Sequence, residues 1–445
     1  MSEFLLTLFW FAVTLGVLVV FHEFGHFAMA KLFGVGVESF SIGFGPRLIG
    51  FRRGETDYRI SAIPLGGYVK MVGETPDDEA AGDPSALGAR PRWQRFLIFV
   101  IGAVLNIVLA IALMTVVFMR IGKPADAADA PPLVRSVTAG SAAEARGVRA
   151  GDRLVQVGGK DASNPVTAIE EIFLSPGTTK QFVFDRNGKR ITADLPIGYD
   201  PKYHSGDPGL QLASGVSEAP APPEATTILA VSAGTPAEQA GILPGDRIVG
   251  VDGRAHPSRP ELIALISSSP GRSVTLQVER GTEILEILVT PAVMDGAGRI
   301  GVEFAPYEGP RIPLGPAEAF AESLKFNREN ATLLLVTLKK LVIGDVSLRV
   351  MSGPIEIATA ARQAAGDGLD SVLHFMAFVS LQLGIINLLP IPMLDGGHIF
   401  ILLIEGILRR DLSVALKERV MQAGLIFLLL FAGLVISLDL IKRAS

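Results

Sequence analysis

The sequence predicts a multi-pass α-helical membrane protein: four transmembrane helices, two inserted α+β domains, and a membrane-associated β-hairpin region. Three observations predict it. Long uncharged apolar runs occur at four places, the polar middle of the chain repeats itself, and a glycine-rich stretch of alternating residues follows the first run. Apolar residues make up 49 % of the chain and mean hydropathy is +0.42. That is high for a soluble protein and low for one that is membrane helix throughout.

Phe4 to Phe21 contains no ionisable residue. In helical form it rises about 27 Å, nearly the hydrocarbon thickness of a bilayer. No basic residue precedes it and no small-residue cleavage site follows, so it reads as a span and not a signal peptide. The first transmembrane segment is placed at 1–33 and a cytoplasmic or membrane-reentrant β region at 34–95. Phe96 to Met119, bounded by Arg95 and Arg120, is the second span (96–119). Phe375 to Leu394, interrupted by Pro390 and Pro392, belongs to the third (371–408), and Val420 to Leu438 is the fourth (420–438). Thr332 to Ile343 is apolar but broken by Lys339 and Lys340, so 315–370 reads as an amphipathic connecting segment.

Four spans put both termini on one side. The connections Lys31–Arg95 and Arg409–Arg419 are rich in Lys and Arg, which places them in the cytoplasm and the long middle outside it. Net charge is −5, which gives no footing for a nucleic-acid partner; the partners expected are the lipid bilayer and what it carries. There are no cysteines, so disulfides are absent and any metal site must use His and carboxylates.

The repeat pairs Val137–Val155 with Val231–Val249. Gly-Ser-Ala-Ala-Glu at 140–144 matches Gly-Thr-Pro-Ala-Glu at 234–238, and Gly151-Asp152-Arg153 matches Gly245-Asp246-Arg247. A period this long is a duplicated domain and not a solenoid. The copies are placed at 131–215 and 226–307, joined by the proline-rich Ala219–Pro223. Their pattern resembles the PDZ domains of bacterial envelope proteases, which bind extended peptides along a sheet edge. Gly209-Leu210 and Ile300-Gly301-Val302 are the candidate carboxylate loops. Peptide binding and simple shielding by bulk both stay open for these PDZ-like domains.

The chemistry sits at the end of the first span, which reads His22-Glu23-Phe24-Gly25-His26. On a helix, the two histidines lie one turn apart on one face and can share a metal, with zinc the usual occupant. Glu23 stands beside them as a general base for water. In a soluble protein such a motif is often a polar turn of surface helix. Here the flanking turns are apolar, so that reading would bury unpaired polar groups.

Two histidines leave zinc one protein ligand short. The third span supplies Asn387-Leu-Leu-Pro390-Ile-Pro392-Met-Leu-Asp395-Gly396-Gly397. The first and third spans cross in the same direction, and counting along each puts His22 and Asp395 at matching depth near the cytoplasmic leaflet. The prolines and glycines break the helix there, which lipid tolerates only where backbone is protein-buried or lines a wet cavity. Asp395 is therefore the expected third ligand.

These residues resemble the site-2 protease family, closest to its bacterial regulator-of-sigma-E protease branch. The resemblance rests on His22–His26, the Asn387–Gly397 element, the tandem PDZ-like domains, Phe40-Ser-Ile-Gly-Phe-Gly-Pro46, Ile63-Pro-Leu-Gly-Gly-Tyr-Val-Lys70, Gly344-Asp345 and Ser352-Gly353-Pro354-Ile355. One departure is Ala103, where the family usually has Pro after Gly102. The resemblance implies Zn2+ bound by His22, His26 and Asp395, with Glu23 as base. It implies a metalloprotease of the bacterial inner membrane, with PDZ domains in the periplasm. Its substrate would be a single-span membrane protein already cut once outside, of the anti-sigma-factor kind, or a leftover signal peptide. Such a helix must unwind before cleavage. Asn106, Asn387, Pro390 and Pro392 are the substrate-binding candidates, and interhelical hydrogen bonding is the other reading of both asparagines. Phe40–Lys70 is read as a hairpin that dips into the membrane and offers an edge strand.

His204, His256 and His374 read as surface or interfacial residues, and His398 as a weak outer partner of Asp395. A zinc transporter would need a ligand-lined path across the bilayer, which the other spans lack. An inactive scaffold would not need intact His, Glu and Asp.

Overall fold

The computed structural model describes residues 3–74, 83–124, 131–138, 140–149, 151–162, 165–186, 188–200, 205–213, 226–255, 259–281, 283–294, 297–304, 311–348, 351 and 353–444. His204, His256, Ser352 and the Ala219–Pro223 linker lie outside them. The chain divides into two compact units: 1–122 with 313–341 and 347–445, and 123–312 with 342–346.

The first unit opens on α1 (Glu3–Leu32), an apolar helix with Glu3 in its first turn and Lys31 in its last, as the helix dipole favours. Gly34, at φ +69°, turns the chain out of the helix, and the Val35 N–H reaches back to the Ala30 carbonyl at 2.8 Å. Two long strands follow, β1 (Val37–Arg53) and β2 (Thr56–Met71), paired antiparallel from Val37↔Met71 to Arg53↔Thr56. The hairpin also doubles over. Ser39 to Ile42 partner Asp57 to Ile60, rising in step, in addition to their partners at Gly67–Lys70. The fold is made at Gly43, at φ +90°, where a Cβ would meet the Ile63 carbonyl oxygen at 2.7 Å. Phe44, Leu48, Ile49 and Phe51 expose their side chains near the far end.

Next comes α2 (Arg92–Ile121). It crosses α1 where Gly25 meets Gly102, close enough that a Cβ on Gly25 would lie 3.1 Å from the Gly102 Cα.

The second unit holds the two copies. In the first, Leu210–Ala213, Leu133–Val137, Arg153–Val157, Thr179–Arg186 and Lys189–Pro196 lie side by side in that order. Its helices are α3 (Ala142–Ala145) and α4 (Pro165–Ala168), the latter running into a π-helical turn at Ile169–Phe173. In the second copy, Ile228–Val231 pairs with Val302–Phe304, and Arg254–Ala255, Arg247–Val251, Val274–Arg280 and Glu283–Val289 form a four-stranded sheet. Its helices are α5 (Pro236–Gln239) and α6 (Arg259–Ser267). The cores match position for position: Leu154, Ile172, Phe182 and Phe184 are buried in one, Ile248, Ile266, Leu276 and Val278 in the other. Gly209 (φ +74°) and Gly301 (φ +80°) occupy equivalent places, against Ser141 and Thr235.

The chain then returns to the first unit. Helix α7 (Pro316–Ile343) runs on well before the apolar stretch at 332–343, and its buried Ser323 hydroxyl donates to the Ile111 carbonyl of α2 at 2.7 Å. Helix α8 (Pro354–Asp367) is capped by Asp439, which accepts from the backbone N–H groups of Gly353 and Ile355 at 3.0 and 3.2 Å. The long apolar run near the C-terminal end is two helices, α9 (Leu369–Asn387) and α10 (Asp395–Leu408), and α11 (Val414–Ala444) ends the chain. Among the described residues, four helices are long and apolar enough to cross a membrane, at Glu3–Leu32, Arg92–Ile121, Leu369–Asn387 and Val414–Ile441.

Candidate metal centre

Helix α1 carries His22 and His26 on one face, with their rings edge to face at 4.8 Å between centroids. Both are buried. The space they need comes from α2. A Cβ on Gly102 would lie 2.4 Å from His26 Nε2 and 2.9 Å from His22 Cε1, so any larger residue would push the rings apart. The His26 Nδ1–H donates to the Ile98 carbonyl at 2.7 Å, which leaves Nε2 as the free nitrogen. The two Nε2 atoms stand 3.1 Å apart.

Asp395 arrives from the far end of the chain. Between α9 and α10 the backbone winds tightly. Ile391 N–H donates to the Leu389 carbonyl at 2.7 Å, and Leu394 N–H to that of Ile391 at 3.1 Å. Pro392 and Met393 occupy the corner, with Met393 at φ +78°. Gly396 and Gly397 let the first turn of α10 pack on this loop; a Cβ on Gly396 would fall 2.0 Å from the Leu389 carbonyl oxygen. On the other side Gly424 of α11 receives Pro392, where a Cβ would come within 2.2 Å. The loop is thus wedged from both sides, and Asp395, the first residue of α10, points its carboxylate at the histidines. Its Oδ2 lies 3.1 Å from His22 Nε2 and 3.4 Å from His26 Nε2.

Among the described residues, His22, His26 and Asp395 form a group able to hold a metal ion, with one ligand atom each and all within 4.8 Å of one another. The donor set fits zinc: two imidazole nitrogens and one carboxylate oxygen, leaving a position for water or substrate. The Asp395 oxygen nearest the histidines is itself buried and faces both imidazole nitrogens, which suits an atom that shares a cation with them.

Glu23 sits one residue from His22 and faces β2. Gly67 allows the close approach, since a Cβ there would already touch Val19 and the Glu23 Cγ. Of the expected substrate contacts, Asn387 brings its Nδ2 to 3.3 Å from His22 Nε2. Asn106 is fully buried, with its amide 3.2 Å from His22 Nδ1. Pro390 and Pro392 lie in the loop that presents Asp395. His398 stacks on Phe99 at 4.6 Å, and His374 meets Phe326 edge to face at 5.3 Å; neither belongs to the group.

Sequence reasoning missed Gly102 and the Ile98 carbonyl. The signal available for Gly102 was a glycine in mid-span, which marks a close helix crossing without saying what it faces. A backbone carbonyl leaves no signal at all.

The chain is similar to known proteins over nearly its whole length. It is 34 % identical to the regulator of sigma-E protease RseP of Escherichia coli, over 99 % of each chain. It is 33 % identical to RseP of Salmonella typhimurium, over 96 % of this chain and 97 % of that one. Among solved structures, the PDZ domain of an SdrC-like protein from Listeria innocua is 30 % identical, with a TM-score of 0.17, and covers 19 % of this chain and 96 % of that one. The model of peptidase family M50 matches residues 10–431. The chain therefore belongs to the M50, or site-2 protease, family and is a zinc-dependent intramembrane metalloprotease.

Proposed function

We propose that this protease cleaves single-span membrane proteins within or beside their transmembrane segment, after an earlier cut outside the membrane. The observation that carries this is the grouping of His22 and His26, on a helix apolar and long enough to cross a membrane, with Asp395, and of Glu23 on that same helix against strand β2. An anti-sigma factor in an envelope-stress response is the first substrate class, in keeping with the name of the Escherichia coli relative, and leftover signal peptides are a second.

In this reading His22, His26 and Asp395 hold zinc. When bound, zinc supplies a Lewis acid that acidifies water and polarises the scissile carbonyl. Glu23 takes the proton from water and returns it to the leaving amine. A helical substrate hides its carbonyls in its own hydrogen bonds, so it must be held extended. The Ile63–Lys70 side of β2, next to Glu23, is suited to pair with such a strand. Asn387 and the unwound Pro390–Pro392 stretch would line its other side.

The basic connections support a bacterial inner-membrane orientation with the site near the cytoplasmic leaflet and both PDZ-like domains in the periplasm. The copies would regulate access, since no group of metal-ligating residues occurs in them among the described residues. The test uses two single-span substrates in detergent, one with a folded external domain and one trimmed to a stub. The wild-type enzyme should cut the stub and spare the other. Glu23→Gln should cut neither, slower by about 10²–10⁴ or more, while still holding about one zinc. Near-normal cleavage by Glu23→Gln would sink the mechanism; equal cleavage of both substrates by wild type would sink the gating role.

A further inference from the structure

The two histidines are both supported from behind, and the supports differ. His26 Nδ1 faces a carbonyl oxygen, that of Ile98, which can only accept. His22 Nδ1 faces the side-chain amide of Asn106, with Nδ2 the nearer atom at 3.2 Å. The other end of that amide, Oδ1, is buried and makes no hydrogen bond.

At Nδ1 this arrangement suits only one tautomer of His22, and that tautomer would set its Nε2–H against a second donor, the Asn387 Nδ2 at 3.3 Å. An NH2 group donates, so it pairs with an unprotonated Nδ1, and the ring proton then sits on Nε2. Nε2, however, is the atom that points at Asp395 and at His26 Nε2. If it is to give a lone pair to a metal, the proton must move to Nδ1, where it would meet another donor. The oxygen and nitrogen of an amide exchange places by a half-turn of the terminal bond, and their assignment follows from the hydrogen bonds around them. The half-turn puts Oδ1 opposite Nδ1 and gives the unpaired oxygen its donor.

We infer that Asn106 is a positioning residue whose Oδ1 accepts the Nδ1 proton of His22, fixing the ring in the tautomer that offers Nε2 to zinc. This rests on the reading of His22 as a zinc ligand. The surroundings of Asn106 suit a fixed support. Its side chain is fully buried, its carbonyl accepts from the Ser380 hydroxyl of α9 at 2.8 Å, and Gly384 packs on its Cβ. Residues that hold a ligating imidazole in this way raise its basicity and its order, and losing one typically lowers metal affinity about 10–100-fold.

The test compares zinc affinity of the full-length protein in detergent, by competition with a chelator, for wild type, Asn106→Leu and Asn106→Asp. Leucine keeps the volume and cannot accept; aspartate accepts the same proton. We expect Asn106→Leu to bind zinc about 10–100-fold more weakly. Asn106→Asp should stay close to wild type. A substrate contact made through the amide N–H would give a different pattern: both variants would keep zinc affinity and raise KM for the trimmed substrate. That result overturns the inference. So does equal zinc loss in both variants, which would mean that packing and not proton acceptance matters. A His22→Ala control that kept its zinc would instead sink the metal-site reading itself.

Discussion

Three aspartates, two buried and one half-buried, show how the same side chain becomes structure in one region and chemistry in another. In the repeat, Asp152 and Asp246 are each clasped by an arginine at the end of the neighbouring strand. Arg186 donates to Asp152 from Nε and Nη2 at 2.6 and 2.7 Å, and the Arg149 N–H adds a third bond at 2.8 Å. Arg280 and the Leu243 N–H do the same for Asp246 at 2.7, 2.8 and 2.8 Å. Every carboxylate oxygen is used, and nothing is left for a ligand. Asp395 has no such partner. It faces two imidazole nitrogens, at 3.1 and 3.4 Å from its nearer oxygen, and no arginine clasps it. The difference teaches that burial alone does not mark a functional carboxylate; an unsaturated one aimed at other ligand atoms does.

The sharpest way to break this comparison is to remove each carboxylate in turn. Asp395→Ala should lower zinc content and cleavage together, beyond the roughly 10–100-fold expected from losing an outer partner. His374→Ala should change neither. Full zinc and activity in Asp395→Ala, read by metal analysis and substrate cleavage, would remove Asp395 from the site.

Asp246→Ala should do the reverse, weakening the second copy while leaving zinc in place. The loss should fall below the roughly 3–5 kcal/mol of a fully buried pair, because Arg280 is part-exposed. Hydrogen exchange across 226–304 in the intact protein would read it.

The same clasp sets an acid response. Burial works to raise the Asp246 pKa, but the Arg280 and Leu243 hydrogen bonds, with the Arg280 charge, outweigh it and hold the carboxyl below its ordinary value. A group depressed on folding adds stability that is full above the unfolded value of about 3.9 and lost as pH falls through the folded one. Wild type should therefore shed this increment in acid, and Asp246→Ala should not. Parallel acid-unfolding curves for the two proteins would contradict the clasp.

The smallest effect concerns a place where the copies differ. The first buries Glu171 between Lys160 and Lys180, each at 2.8 Å; the second has Leu265 at the matching position. Both lysines are partly exposed, so this triad should contribute little. Glu171→Leu should shift the stability of the first copy by no more than about 1 kcal/mol. A larger loss would mean that the triad holds the π-helical turn in which Glu171 sits.

Much of this was legible in consecutive residues. Hydropathy picked out the four apolar helices because a span needs an unbroken run of about 20 residues, and that run is local. The 94-residue offset revealed a duplicated domain whose buried cores then matched pairwise. Helical periodicity set His22 and His26 on one face; Asp395 lies beside them, but it opens α10 after a loop and is not a residue of the third span from which the sequence argument counted it.

What the sequence could not determine is everything that passes between segments far apart in it. The sequence predicts a hairpin over Phe40–Lys70 that offers an edge strand; that it also doubles on itself follows from Gly43, which admits a fold that periodicity cannot register. Asn106 is a substrate-contact candidate in the sequence, with interhelical hydrogen bonding as the other reading, and the packing of α2 on α1 places its amide behind His22. Gly102 gives the imidazoles their room, and the Ile98 carbonyl orients His26 from 72 residues away. Patterns of hydropathy and spacing are written residue by residue, so a sequence states them outright. The gap into which a ring fits, and the backbone oxygen that orients it, come into being only when two helices meet.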